Sequence, residues 1–287
     1  MHKSATFIFS YKRANKVFTY DVLKNTNYRG DIYIVVSDDD PTISEYLDRF
    51  KNNVIIFSKE DAREITDLCD NWENRKLVVF ARNYIFKIAE QMKLDCFCVL
   101  DDDYDRFLYR RCFGDKLKGF KVQDSGIIIE KCFKYLMAAD TLDCFAWCQD
   151  GDFIGGAGSF EGIGGKRKIM NTYFFKTNRP IRFKGSINED LNASVYEGQR
   201  GKVFFTINDV SIHQMMTQTN SGGLTDAYLD SGTYIKSFYS VIVAPNCVKV
   251  SAMGNKDLRI HHKVSWNNAC PKIIREEIKY GKPRKEF

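Results

Sequence analysis

The sequence predicts an α/β fold in which a Rossmann-type mixed sheet is flanked by helices. Three observations carry this. Short apolar, β-branched runs alternate with segments of helical period from the N-terminus onward, the order of a doubly wound sheet. Two of those runs, DIYIVVS at 31–37 and CFCVL at 96–100, are almost unbroken in apolar residues, as strands covered on both faces must be. The chain has 287 residues, 44% of them hydrophobic, with only five prolines. That is enough for a sizeable core and leaves little room for structureless linkers.

In chain order, Thr6–Ser10 reads as the first strand and Ala14–Lys24 as a helix. The second strand, Asp31–Ser37, stops at Asp38-Asp39-Asp40-Pro41, a turn and helix-cap signature. Ile43–Phe50 follows as a helix and Asn53–Phe57 as the third strand. Lys76–Lys93 has one wide apolar face and reads as a helix. The strand Cys96–Leu100 runs straight into Asp101-Asp102-Asp103. Gly126–Ala139 reads as a helix and Cys144–Cys148 as a strand.

The texture changes at Gly151, where GDFIGGAGSFEGIGG holds seven glycines in fifteen residues. This reads as a loop that encloses a ligand, and Lys166-Arg167-Lys168 follow it. Tyr173–Lys176 then reads as a strand, Ser186–Tyr196 as a turn and helix, Lys202–Ile207 as a strand, and Ser231–Val243 as helix then strand. From Lys272 the chain is a basic helix or tail. There is no internal repeat. Residues 1–150 read as a nucleotide-binding half and 151–287 as an acceptor-side half of one continuous domain.

The formal charge of +6 fits either a mildly basic surface or a polyanionic partner such as nucleic acid. Nine cysteines, mostly inside apolar runs and without a C-x-x-C pair, argue against a disulfide framework and against a zinc ribbon. They read as buried thiols in a reducing compartment. Ala5–Phe9 is too short for a signal peptide, and no segment approaches the length of a membrane span. A soluble, cytoplasmic protein is expected.

The chemistry concentrates in CFCVLDDDYDRF. Three carboxylates follow an otherwise apolar strand, and burying like charges together is costly unless a cation neutralises them. The carboxyl end of a strand in such a sheet is also where ligands sit. Hard oxygen ligands suit Mg2+ or Mn2+, which also bridge a diphosphate. Asp101 and Asp103 would point to the same side. A solvated turn with a helix cap is the competing reading, and it is the one we prefer for Asp38–Asp40.

Phe9-Ser10-Tyr11-Lys12-Arg13, Ala81-Arg82-Asn83, Leu100-Asp101-Asp102-Asp103 and Asn188-Glu189-Asp190 occur in that order. In this the chain resembles the nucleotide-sugar glycosyltransferases of GT-A fold, and more narrowly the TET-associated, phage-type DNA glycosyltransferases, over about residues 5 to 210. The resemblance implies that Ser10, Tyr11 and Arg13 contact the nucleotide of a UDP-sugar donor. Arg82 and Asn83 would hold its diphosphate or ribose. Asp101, Asp102 and Asp103 would bind sugar, ribose and metal, with Asp103 as the direct Mn2+ or Mg2+ ligand alongside Asp101. His261 or His262 would close the metal shell, with His213 a weaker candidate.

Asp190 or Glu189 would deprotonate the acceptor hydroxyl, or position the donor sugar if configuration is retained. Ser186-x-x-Glu189 is equally a capping box. Lys166, Arg167 and Lys168 would contact phosphates of DNA. The acceptor implied is 5-hydroxymethylcytosine in double-stranded phage DNA, where the sugar would shield the DNA from host nucleases. A glycosyltransferase acting on glycan or protein, a nucleotidyltransferase, and a non-catalytic nucleic-acid-binding protein are the alternatives.

Overall fold

The computed structural model describes residues 2–70, 78–114, 116–150, 169–215, 235–253 and 259–270. The first strands are β1 (Ser4–Phe9), β2 (Ile32–Ser37), β3 (Val54–Phe57) and β4 (Cys96–Asp101). All four run parallel, with β1 in the middle between β2 and β4. The chain therefore builds outward through β2 to β3, then returns to the other side of β1. That reversal opens a crevice beyond the carboxyl ends of β1 and β4.

The sheet continues past β4 through β8 (Tyr173–Lys176), β7 (Cys144–Gln149), β9 (Phe204–Gln214), β5 (Tyr104–Phe113) and β6 (Lys116–Lys121), nine strands in the order β3-β2-β1-β4-β8-β7-β9-β5-β6. β8 is antiparallel to β4 and β7, whereas β9 is parallel to β7 and so ends at the same edge as β4. Strands from both sides of residue 150 thus share one sheet. Between β7 and β9 the register jumps, from Trp147 opposite Ile207 to Cys148 opposite Ser211. β9 accommodates three extra residues there as a bulge.

Strand alternation sorts the side chains onto two faces. Phe7, Val35, Phe97, Val99 and Phe175 pack on one face under α3 (Lys59–Glu64), α4 (Val78–Gln91) and α6 (Glu189–Gly198). Ile8, Ile34, Cys98, Leu100 and Phe174 pack on the other under α1 (Phe18–Asn25), α2 (Ile43–Phe50) and α5 (Ser125–Ala138). A smaller cluster joins α6 to α7 (Ile235–Val243), the hairpin of β10 (Val248–Met253) and β11 (Arg259–Val264), and the short α8 (Trp266–Ala269).

The mixed α/β architecture with helices on both faces is the one the sequence predicts, with local corrections. The expected helix over 14–24 splits into a 3-10 turn at Ala14–Lys16 and α1. The strand expected at 202–207 runs on to Gln214, because its bulge carries the polar Asn208-Asp209 within a paired strand. In the described part of 231–243 there is helix alone. Neither α3 nor the β5–β6 hairpin was anticipated, since the hairpin carries charges where a buried strand carries apolar residues. Six cysteines are buried as expected of unpaired core thiols, Cys69 and Cys270 are half-buried, Cys112 is exposed, and none forms a disulfide. Among the described residues no helix is long and apolar enough to cross a membrane.

Phe174 is fully buried, stacked on Phe145 with centroids 4.7 Å apart and edge-on to Phe133. Phe174→Ala is expected to lower the unfolding free energy by about 3–5 kcal/mol, read from guanidinium denaturation.

Candidate functional site

The acid turn is fixed first through its backbone. Thr19, in the first turn of α1, donates its N–H to Asp102 O at 3.2 Å and its hydroxyl to Asp101 O at 2.6 Å. The same hydroxyl accepts the Tyr104 N–H at 3.0 Å. Tyr104 is buried; its hydroxyl donates to Asn171 O at 2.8 Å and accepts the Asp101 N–H at 3.1 Å. The three carboxylates are therefore presented by a turn with little freedom to move.

Each carboxylate has its own partners. Asp102 is buried and faces β1, where Ser10 donates to Oδ2 at 2.6 Å and Arg13 Nη1 donates to Oδ1 at 3.1 Å. The Ser10 proton is thereby used, so Tyr46, 2.7 Å from Ser10 Oγ, donates to it and accepts the Arg13 N–H at 2.9 Å. Burial pushes Asp102 up to about 6, with Arg13 and Ser10 pulling the other way.

Asp101 lies 3.7 Å from Arg82 Nη2. Burial pushes it up to about 7; Arg82 opposes this, while Asp103, Asp102 and Glu189 add to it. Burial also raises Asp103, whose two oxygens accept from Gln214 Nε2 at 3.1 and 3.0 Å. Gln214 is in turn oriented by Asn171, which donates to its Oε1 at 2.8 Å.

Arg82, on α4, links the two carboxylate groups named in the sequence. Its Nε lies 3.2 Å from Glu189 Oε1. The guanidinium sits over Tyr173 at 4.8 Å and over Phe183 at 5.6 Å, so it is 4% exposed. Burial works against its charge, but Tyr173, Asp101 and Glu189 around it hold the proton on. Its buried Nη1 has no hydrogen-bond acceptor among the described residues, whereas Nε is met by the Glu189 carboxylate as an ion pair.

These groups line a cleft over the carboxyl ends of β1 to β4. Ser10, Tyr11, Arg13, Arg82 and Asp101–Asp103 are on its wall, together with Lys59 and Gln214, which the sequence reading did not single out. Lys59 follows β3 and is held to Asp39 at 2.8 Å, with its ammonium 5.5 Å from the Tyr11 ring. The neighbouring Asp40 caps the turn, accepting from the Lys12, Thr42 N–H and Thr42 hydroxyl groups, so Asp38–Asp40 is indeed a turn. Gln214 escaped because β9 was expected to end seven residues earlier.

Other expected residues lie elsewhere. Asn83 faces away from the cleft: its amide donates to Thr66 Oγ1 and Phe183 O and accepts the Phe183 N–H, which pins the segment beneath Arg82. Neighbours on a helix point about 100° apart, and Arg82 has the cleft-side position. His261 and His262 are on β11, opposite Ser251 and Val250, and neither lines the cleft. His213 is held by Asp105 at 2.6 Å. Among the described residues no group of three or more His, Cys, Asp or Glu is arranged to hold a metal ion by itself.

The capping-box reading of Ser186 and Glu189 fails. The helix starts at Glu189 with Asn188 as its N-cap, in the left-handed region at φ 58, and Ser186 instead bonds Asp70 at 3.2 Å. Glu189 and Asp190 occupy the first turn, where the helix dipole favours negative charge. Lys166, Arg167, Lys168, the glycine-rich stretch and the basic segment from Lys272 lie outside the described residues.

The raised Asp101 gives a pH signature with a definite sign. Its folded value of about 7 lies above the ordinary 3.8, so the folded state holds the proton longer. Wild-type stability relative to Asp101→Asn is expected to fall as pH rises from about 4 to about 7, by up to about 1.4 kcal/mol per pH unit, and to level off above. Denaturant titrations of both proteins in chelator across that range read it.

No curated protein matches the chain. Among solved structures it is similar to glucosyl-3-phosphoglycerate synthase from Mycobacterium tuberculosis in complex with Mg2+ and uridine-diphosphate. The TM-score is 0.44 at 9% identity, over 92% of this chain and 88% of that one. The same enzyme with Mn2+ and UDP-glucose gives 0.45 at 9%, over 92% and 87%. A cytidylyltransferase from Leptospira borgpetersenii gives 0.41 at 12%, over 72% and 76%. A likeness at this level says nothing of substrate. The sequence model of the TET-associated glycosyltransferases matches residues 4–223, a span that takes in the cleft and both carboxylate groups, and the chain belongs to that family of glycosyltransferases.

Proposed function

We propose that the protein transfers a sugar from a UDP-sugar to 5-hydroxymethylcytosine in double-stranded DNA, with Mn2+ or Mg2+ as cofactor. The observation that carries the donor half is Arg82. A buried guanidinium on the cleft wall whose Nη1 lacks an acceptor among the described residues is set up for an anionic ligand, because an unmet buried donor costs about 1–3 kcal/mol. Arg13 and Lys59 line the same cleft. Together they suit a nucleoside diphosphate, and the glycosyltransferase family supplies the sugar.

The carboxylates fit a divalent cation that arrives with that ligand. Asp101 and Asp103 are both raised by burial, so both gain from a cation nearby. Mg2+-type ions are commonly held by one or two carboxylates plus substrate phosphates and water, which matches a site with no larger donor cluster among the described residues. Once bound, the ion would neutralise charge on the departing diphosphate. Asp102 takes a different part: with both oxygens engaged by Ser10 and Arg13, it positions Arg13 at the cleft.

For the acceptor, Asp190 or Glu189 takes the proton from the hydroxymethyl group. Glu189 is the member ion-paired to Arg82, so substituting it disturbs donor binding too. The target base must leave the duplex stack to meet a donor seated in a cleft. The DNA acceptor is supported by the family and by the basic bias of the chain. A phage origin and a role in escaping host nucleases belong to the same reading.

Incubation with hydroxymethylated duplex, Mn2+ and a panel of UDP-sugars is expected to add one sugar mass per modified nucleoside and to release UDP. Release of pyrophosphate would mark a nucleotidyltransferase instead, and no mass gain with any common UDP-sugar would remove the DNA acceptor. Asp103→Asn is expected to slow transfer by about two to three orders of magnitude while remaining folded. Asp190→Asn should lower kcat with little change in the donor KM, as loss of a general base does.

A further inference from the structure

The β5–β6 hairpin leaves the acid turn directly and ends at the edge of the sheet. Its ten-residue strand β5 extends about 30 Å. In its register Tyr109 lies opposite Phe120 and Arg111 opposite Lys118, and directly opposite residues share a face. That face therefore carries Tyr109, Phe113 and Phe120 interleaved with Arg111 and Lys118. Phe113 and Phe120 are 51% and 44% exposed, with ring centroids 5.9 Å apart. The Lys118 ammonium sits 5.3 Å from the Phe113 ring.

The charge is as uneven as the aromatic content. Between residues 106 and 121 there are six arginines and lysines against a single aspartate, in a chain whose whole formal charge is +6. Arg106 and Arg110 are committed, to Asp105 and to Asp150 with Ser211. Arg111 and Lys118 face each other across the strands, and among the described residues neither has a carboxylate partner. Like charges directly opposite in an antiparallel pair destabilise it, so this face gains from an anion supplied from outside. Lysines on an edge strand also deter pairing with another sheet, but that role needs no exposed aromatic pair beside them.

We propose that this face of the hairpin docks on duplex DNA, with Arg111 and Lys118 on backbone phosphates. A two-stranded ribbon has the width of the major groove, and interleaved cations and aromatic rings are the surface chemistry that nucleic acid selects. The inference rests on DNA being the acceptor and names the surface that would hold it.

The test is binding of the full chain to a short hydroxymethylated duplex, by fluorescence anisotropy over a salt series. Arg111→Gln with Lys118→Gln is expected to weaken binding at least about tenfold at low salt and to reduce the slope of log affinity against log salt by about two. UDP-sugar binding and the melting temperature should not move. If the double variant melts early, Lys118→Gln alone is compared, with the slope expected to fall by about one. An unchanged slope overturns the proposal. So does loss of a concentration-dependent dimer in place of DNA binding, which would make the face a contact between two copies. Wild-type protein that neither binds nor modifies the duplex removes the DNA acceptor itself. Wild-type and variant proteins that both bind and modify it equally remove only the hairpin.

Discussion

Three consecutive carboxylates at the end of an apolar strand, Asp102 and Asp103 buried and Asp101 half-buried, are the constraint around which the rest is arranged. Removing such charges from water is costly unless each finds a partner. The fold supplies a different one from a different element in each case. β1 and the turn after it bring Ser10 and Arg13 to Asp102, α4 brings Arg82 to Asp101, and β9 brings Gln214 to Asp103. The strand order makes this possible, because β1 and β4 are neighbours and β9 ends at the same edge. The compensation is incomplete, since Asp101 and Asp102 are still raised, and that residue of unsettled charge is what a cationic ligand would meet.

Arg82 is the hinge between donor and acceptor chemistry. Its position between two aromatic rings, Asp101 and Glu189 gives the guanidinium a fixed plane, a geometry a lysine could not reproduce. Asn83 contributes indirectly by fastening Phe183, one wall of that slot, to α4. Two adjacent residues on one helix thus serve one site, the first by facing the cleft and the second by holding the wall behind it.

Much of this was legible in the sequence. Periodicity placed the parallel strands, and the step from CFCVL into three aspartates marked the ligand edge before any partner was known. Ser10, Tyr11 and Arg13 could be named because they follow a strand end, and Arg82 through the resemblance carried by Ala81-Arg82-Asn83. What could not be read was long-range. Thr19 and Tyr104 matter through backbone bonds that no side-chain pattern announces. Gln214 reaches Asp103 only because a polar pair, Asn208-Asp209, is absorbed as a bulge where a turn looked natural. His261 and His262 looked like ligands by type, yet their strand pairs with β10 and belongs to the C-terminal cluster.

The bulge in β9 also acts as a counting device. Side chains on a strand alternate with a period of two, so a shift by one residue exchanges the faces. Three residues are absorbed between the contacts at Ile207 and Ser211, an odd number, and the strand beyond it is inverted relative to a regular ladder. Gln214 points at Asp103 by virtue of that parity, while His213 turns to Asp105. One inserted residue that slid the strand would bring the imidazole of His213, in place of the carboxamide, to the acidic edge, and one deleted residue would bring Met215.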